Sequence, residues 1–128
     1  MDLGRKTALM IAAETGNVYL VHTLLSLDPD VSEKDSYGHT ALMRAAYNGH
    51  ADVVRLLLGS GACPGCVCNS GWTALMLAAD NDHAEVVRLL LASGKSRPQY
   101  TSGDGETALR LASRNDSIGI VKMVRSRL

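Results

Sequence analysis

The chain has 128 residues and carries thirteen Lys plus Arg against thirteen Asp plus Glu, so its formal net charge is zero. This length fits one domain, and a neutral chain lacks the basic excess needed to bind along a phosphate backbone, so we expect no nucleic acid partner. The longest apolar run is six residues, whereas a bilayer crossing needs roughly 20, so we expect no membrane span.

The apolar residues are mostly small or aliphatic, with 18 Leu, 15 Ala, 10 Val and no Phe. Such side chains suit helices that pack closely on one another. Three cysteines are neither an even number nor a disulfide framework, and the amino end shows no charged-then-apolar signal segment. We therefore expect a cytoplasmic location.

The tripeptide Thr-Ala-Leu recurs at Thr7, Thr40, Thr73 and Thr107, with spacings of 33, 33 and 34 residues. The segments 40–61 and 73–94 share 17 of 22 residues. A period of this length predicts stacked structural units that bury their apolar faces against one another. We place four repeats in a single domain spanning 1–128, at about 2–34, 35–67, 68–101 and 102–128.

Within the second unit, Thr40 is a good helix N-cap and a short helix is predicted to begin near Ala41. The pair Asn48-Gly49 ends this helix. A second helix with a broad apolar stripe is predicted over Ala51–Gly59, and Gly61 supplies the left-handed residue that ends it. Each unit is therefore predicted to consist of a helix, a tight turn, a second helix and a finger-like loop. Four such units give eight helices and almost no strand.

Each copy resembles an ankyrin repeat. In the second unit the family pattern is matched by Asp35, Gly38, Thr40, Leu42, Ala45, Ala46, Gly49, His50, Val53, Val54, Leu56, Leu57, Gly61 and Ala62. The resemblance covers essentially residues 2–128. It implies an all-α solenoid of four helix-turn-helix repeats with finger-like connecting loops.

The sequence departs from the family pattern after the capping threonine. The family's Pro is Ala in all four copies, and its His is replaced at Met10, Met43, Met76 and Arg110. We expect Met to fill the same position as packing, because its flexible side chain adapts to irregular gaps. This Thr-Ala-Leu-Met variant is similar to that of long ankyrin arrays in protozoan parasites.

The two terminal units are interpreted as caps, which in repeat arrays need a polar outer face. Residues 107–128 contain five basic residues against one acidic residue. The opening stretch Asp2–Lys6 is similar to the amino-terminal caps of some ankyrin proteins. A boundary within a longer array is the alternative at either end.

Cys63, Cys66 and Cys68 include a C-x2-C spacing, which a zinc or redox site uses. Zinc needs a fourth ligand, and the loop offers none nearby in sequence. Pro64-Gly65 predicts a turn between the first two cysteines. We predict reduced, unliganded thiols here, with a bound metal or a disulfide as the alternatives.

Two histidines, His50 and His83, recur at the same place in successive units. The family resemblance implies that such a histidine makes a hydrogen bond between neighbouring repeats.

No nucleophile is accompanied by both a base and an orienting group. We therefore predict that the chain is not an enzyme and needs no cofactor.

The resemblance implies that the turn tips and the exposed side of the first helices form a concave face that binds another protein. Aromatic residues dominate the energetics of such interfaces, and several lie at positions with no predicted core role. The predicted partner-binding residues are Tyr37, His39, Tyr47, Asn48, Trp72, Asp80, Asn81 and Glu106. We expect Tyr37, His39, Tyr47 and Trp72 to carry most of the binding energy.

Two other functions stay open from the sequence. One is a metal-binding or thiol-reactive protein that uses the Cys63, Cys66 and Cys68 loop. The other is a regulatory ankyrin segment of a larger enzyme, such as a kinase. We expect a monomer, and the scaffold does not specify the partner's identity.

Overall fold

A computed structural model describes residues 6–128. Within this range the chain forms eight helices: α1 (Ala8–Thr15), α2 (Val18–Leu25), α3 (Ala41–Tyr47), α4 (Ala51–Gly59), α5 (Ala74–Asp80), α6 (Ala84–Ala92), α7 (Ala108–Arg114) and α8 (Ile118–Arg125). The only extended pairing in residues 6–128 is an isolated antiparallel bridge between Val67 and Thr73. None of the helices described here has the length and apolar character required to cross a membrane.

The first helix of every unit begins at the recurring threonine. The side chain of Thr40 accepts a hydrogen bond from the Met43 amide at 3.2 Å, and Thr7, Thr73 and Thr107 make the equivalent bond. The capping residues are extended, so their hydroxyl oxygens reach the first unpaired amides of the helix. The predicted helix starts are confirmed.

The second helix of the second unit, α4, has the predicted bounds and is followed by Gly61 at φ +89°. The apolar residues of α4 differ in how deeply they are buried. Val53, Val54 and Leu57 are fully buried, whereas Leu56 and Leu58 are half-buried.

The helices form two layers. The first helices α1, α3, α5 and α7 pack successively on one another, and the second helices α2, α4, α6 and α8 form the other layer. Alanine, leucine and valine make up most of the buried core, and each of Met10, Met43 and Met76 is only 1% exposed. The predicted packing role of these methionines is confirmed.

The two ends of the stack differ in chemistry. Leu20 is 38% exposed, although the corresponding Val53 in the second unit is fully buried. In the fourth unit, exposed Arg110 and Ser113 occupy positions where the other units have buried Met and Ala. The last unit therefore has the predicted polar outer face, while the predicted cap residues 2–5 lie outside the described residues.

Candidate partner-binding face

The second and third units together form a groove of about 340 Å³, which we call the tyrosine groove. It is lined by Tyr37, His39, Met43, Arg44, Tyr47 and Leu77. Tyr37 is 64% exposed and Tyr47 is 52% exposed, while Met43 and Leu77 are buried. The groove therefore has an apolar floor between two exposed aromatic side chains.

Asp35 builds the turn that presents Tyr37 and His39. Its Oδ1 accepts the amide hydrogens of both residues at 2.9 Å. The Asp35 amide donates to the His39 carbonyl at 3.0 Å. These bonds fix the turn, so the rings of Tyr37 and His39 lie 6.2 Å apart between centroids.

Arg44, which lies in α3, connects this turn to the helix. Its guanidinium pairs with the Asp35 carboxylate and also contacts Glu14 Oε1 at 3.1 Å. Burial raises the pKa of Asp35. The hydrogen bonds from Arg44, His39 and Tyr37, with the Arg44 charge, outweigh this and hold the pKa below its ordinary value.

The role of Arg44 was not predicted from the sequence. A signal for it exists in the repeat alignment, because the corresponding residues in the other units are Ile11, Leu77 and Leu111. A single charged residue in an otherwise aliphatic position needs a partner when it is buried. Here that partner is Asp35, whose side chain is completely buried.

The His39 side chain forms one wall of the tyrosine groove. Burial, assisted by the nearby Arg44 charge and opposed by Asp35, holds the pKa of His39 below its ordinary value of 6.5. Its Nδ1 is buried and has no hydrogen-bond partner within the part of the chain that the structure describes. The neutral ring therefore acts as an amphipathic wall of the groove.

Trp72 does not line the tyrosine groove, although the repeat phase places it at the same turn-tip position as His39. Its side chain is half-buried against the core. The pKa of Asp104 is held below its ordinary value by the Ser102 hydroxyl and, more weakly, by the Trp72 indole. Of the four aromatic-ring residues predicted to act together, the structure brings together Tyr37, His39 and Tyr47.

The two predicted acidic residues are linked through one arginine. Arg114 lies 2.8 Å from Glu106 Oε2 and 3.7 Å from Asp80 Oδ1. Arg110 also approaches Glu106, at 3.5 Å. This end of the face is therefore a charge-paired surface rather than an unbalanced acidic rim.

The two predicted asparagines end their own helices. The Asn48 side-chain amide donates to the Arg44 carbonyl at 2.9 Å, and that of Asn81 donates to the Leu77 carbonyl at 2.8 Å. The Leu77 carbonyl lies in the last turn of its helix, where backbone partners run out, and the Arg44 carbonyl also accepts the Asn48 backbone amide at 3.3 Å. Both asparagines thus have a structural role at the edge of the face.

The recurring histidines link neighbouring units, as predicted. His50 Nε2 lies 2.9 Å from the Glu14 carbonyl, and His83 Nε2 lies 2.9 Å from the Tyr47 carbonyl. The fourth unit has Ser117 at this position, and there Asn115 donates to the Asp80 carbonyl at 2.7 Å instead. The bond between units is thus retained by a residue that the sequence analysis did not identify.

The prediction of three reduced thiols is wrong for two of the cysteines. Cys63 and Cys66 form a disulfide, whereas Cys68 is a free, buried thiol. The predicted turn at Pro64-Gly65 brings the two Cα atoms to 5.6 Å, a separation that a disulfide spans. Cys68 occupies the turn position of Asp35, and its Sγ lies 3.1 Å from the Ser70 hydroxyl.

Metal-ligating side chains do not converge in the described residues. Across 6–128 there is no group of three or more His, Cys, Asp or Glu that could hold a metal ion. The disulfide also occupies two of the sulfurs on which a zinc site would depend. The metal-binding alternative therefore gains no support from the structure.

Comparison with known proteins agrees with this architecture. The family model for ankyrin repeats in three copies matches residues 1–67 and again residues 60–127. No curated protein sequence matches the chain. Because the two family matches cover nearly all of the sequence and the helix pairs stack as such repeats require, the chain belongs to the ankyrin repeat family.

Proposed function

We propose that this chain binds a partner protein through the face that carries the tyrosine groove. Ankyrin repeats are generally protein–protein interaction modules. The observation that carries the proposal is the pair of exposed tyrosines, Tyr37 and Tyr47, above the buried floor formed by Met43 and Leu77. Tyrosines of this kind are enriched among the residues that dominate binding energy.

The groove favours an apolar anchor side chain of the partner. The charge of Arg44 is already compensated by Asp35 and Glu14, and His39 is neutral at pH 7. A charged side chain entering here would lose its hydration without gaining an opposite charge. An aliphatic or aromatic side chain would instead bury apolar area against Met43.

The test measures how much of the partner protein each of three forms of this chain captures. One is the wild type, one carries Tyr37→Ala and Tyr47→Ala, and the control carries Arg55→Glu and Arg88→Glu on the second helices. Circular dichroism checks that all three fold. We expect the partner to be lost with the tyrosine variant and kept with the arginine variant, and the reverse pattern would overturn the proposal.

The roles of Trp72, Asp80 and Glu106 in binding are part of the same proposal. Once a partner is in hand, Trp72→Ala separates the two surfaces, because Trp72 lies outside the tyrosine groove. We expect a smaller loss of affinity for Trp72→Ala than for Tyr47→Ala. An equal or larger loss would extend the binding surface to the third turn tip.

A monomeric state and a cytoplasmic location are also proposed. Light scattering at several protein concentrations tests the first, since a dimer would show a concentration-dependent mass. Microscopy of the tagged protein in its source cell tests the second.

A further inference from the structure

The Cys63–Cys66 disulfide lies at an open cavity between the second and third units. The cavity has a volume of about 670 Å³, and its lining includes Cys63, Gly65, Lys95 and Arg97. Cys66, in contrast, packs against the hydrophobic core. Both cysteines are half-buried, and Cys63 lines the cavity whereas Cys66 does not.

The loop of the next unit holds Arg97 against Gly65, in the turn between the two cysteines. Arg97 Nη1 donates to the Gly65 carbonyl at 3.0 Å, and its guanidinium lies 4.3 Å from the centroid of the Tyr100 ring. A Cβ atom on Gly65 would lie only 2.8 Å from Arg97 Cδ and 2.9 Å from the Lys95 carbonyl. Residue 65 therefore has to be small for the cysteine turn to pack this closely on the 95–97 loop.

The cavity that Cys63 lines carries positive charge. Lys95 and Arg97 contribute two cations to its lining, and no carboxylate contributes to that lining within residues 6–128. Neither cation has an ion-pair partner in the part of the chain that is described. Neighbouring cations lower the pKa of a thiol and so increase the fraction that can attack or leave in disulfide exchange.

We propose that Cys63 and Cys66 form a redox-active pair that exchanges two electrons with small thiols and disulfides, with Cys63 as the sulfur that reacts first. This activity is independent of the proposed partner binding. In reduction, the thiolate of a dithiol such as dithiothreitol attacks Cys63 Sγ, and the Cys63–Cys66 bond breaks as Cys66 leaves as a thiolate. The second thiol of the reagent then displaces Cys63, which leaves two cysteine thiols and a cyclic disulfide of the reagent. Oxidised glutathione reverses the change and is itself reduced to two thiols.

The first experiment titrates the pair in the Cys68→Ser protein, so that the buried third thiol does not contribute. The protein is equilibrated in mixtures of reduced and oxidised glutathione, quenched with acid and alkylated, and the modified forms are counted by mass spectrometry. We expect a reversible two-electron curve while the far-ultraviolet circular dichroism stays constant. A disulfide that survives excess dithiothreitol in the folded protein, or thiols that persist in oxidised glutathione, would overturn the proposal.

The second experiment tests which sulfur reacts first. The single-cysteine proteins Cys66→Ser and Cys63→Ser, both in the Cys68→Ser background, are mixed with a chromogenic aromatic disulfide. We expect Cys63 to react at least about tenfold faster than Cys66, because it faces the cavity and the two cations. Equal rates, or faster reaction of Cys66, would overturn the assignment of Cys63 as the sulfur that reacts first.

The third experiment isolates the contribution of Arg97. The rate of alkylation of Cys63 in the Cys66→Ser protein is measured against pH, with Arg97→Gln, Arg97→Lys and Arg88→Gln compared. We expect an apparent thiol pKa below the ordinary value of about 8.5 and a rate at pH 7 that Arg97→Gln lowers about three- to tenfold. Arg97→Lys keeps the charge and retains most of the rate, and Arg88→Gln leaves it unchanged. An ordinary thiol pKa, unaffected by Arg97→Gln, would contradict the electrostatic part of the proposal.

Discussion

Asp35 is the residue on which the turn below the tyrosine groove depends. Its side chain is completely buried and accepts hydrogen bonds from two backbone amides and from Arg44. Removing it leaves those amides without an acceptor and Arg44 without its closest counter-charge. Such losses are costly, because a buried donor or charge gives up its hydration and gains nothing in return.

We therefore expect Asp35→Ala to lower the free energy of unfolding by about 3 kcal/mol. The matched control is Asp52→Ala, which removes a carboxylate that is 73% exposed and paired with Arg55. That change costs less than about 1 kcal/mol, since exposed ion pairs contribute little. Urea denaturation followed by circular dichroism measures both values, and similar losses for the two variants would contradict this account of Asp35.

His39 gives the stability a dependence on pH that can be separated from that of Asp35. In the folded protein its pKa lies below 6.5, so between 6.5 and the folded value the unfolded chain binds more protons than the folded chain. The free energy of unfolding therefore falls as the pH drops through this window. The pKa of Asp35 is lowered from 3.8, so its contribution is present above that pH and is lost only on further acidification.

The test is the difference between the wild type and His39→Gln, measured by urea denaturation from pH 7.5 to 4.5. The other three histidines are present in both proteins and cancel in the comparison. We expect the wild type to lose more stability than the variant as the pH falls below 6.5. Parallel curves would show that His39 titrates alike in the folded and unfolded chains.

At the scale of the helix pair, the turn between helices depends on the histidine of the following unit. Gly49 has φ +75°, and a Cβ atom there would lie 2.5 Å from His83 Nδ1. The corresponding turn residue of the third unit is Asp82, at φ +60°. The Asp82 side chain has space because the next unit has the small Ser117 at the position that corresponds to His83. The third turn thus accepts a side chain that the second turn has no space for.

We expect Gly49→Ala to cost about 2 kcal/mol or more, because the left-handed backbone alone costs roughly 1–2 kcal/mol and the His83 ring must also move. Asp82→Ala is the matched control. It already has a left-handed backbone with a Cβ atom, so its cost stays below about 1 kcal/mol. Thermal unfolding of the two variants provides the comparison, and a larger loss for Asp82→Ala would refute the proposed role of the histidine ring.

At the scale of the whole molecule, the parts that were predictable from the sequence are those set by local chemistry. The bounds of α4 and the start of every first helix follow from a threonine cap and a glycine-containing break, which act within a few residues. The position of Trp72 in the repeat was also predictable, but not its packing against the core, because repeat phase fixes a backbone position and not the direction of a side chain.

Features that depend on contacts between distant residues were missed or mistaken. The link from Arg44 to Glu14 crosses 30 residues of sequence. The disulfide required a Cα separation of 5.6 Å between Cys63 and Cys66, which the predicted turn allowed but did not demand. In both cases the sequence contained the residue types, and the three-dimensional arrangement determined how they pair.

The stack itself predicts that equivalent leucines differ in their contribution to stability. Leu24, Leu57 and Leu90 occupy the same position in the first three units, yet Leu57 and Leu90 are fully buried and Leu24 is only partly buried. Truncating a buried leucine costs roughly 2–5 kcal/mol. Nearest-neighbour coupling then spreads that loss to the units on both sides.

We expect Leu57→Ala and Leu90→Ala to cost at least 2 kcal/mol each and to reduce hydrogen-exchange protection in the adjacent units as well as in their own. Leu24→Ala should cost less than either, because part of its side chain is already in contact with water. The measurement is urea denaturation combined with hydrogen exchange resolved by helix. If Leu24→Ala were as damaging as Leu57→Ala, the first unit would be as fully covered as the inner ones, and the difference between the two ends of the stack would not hold in solution.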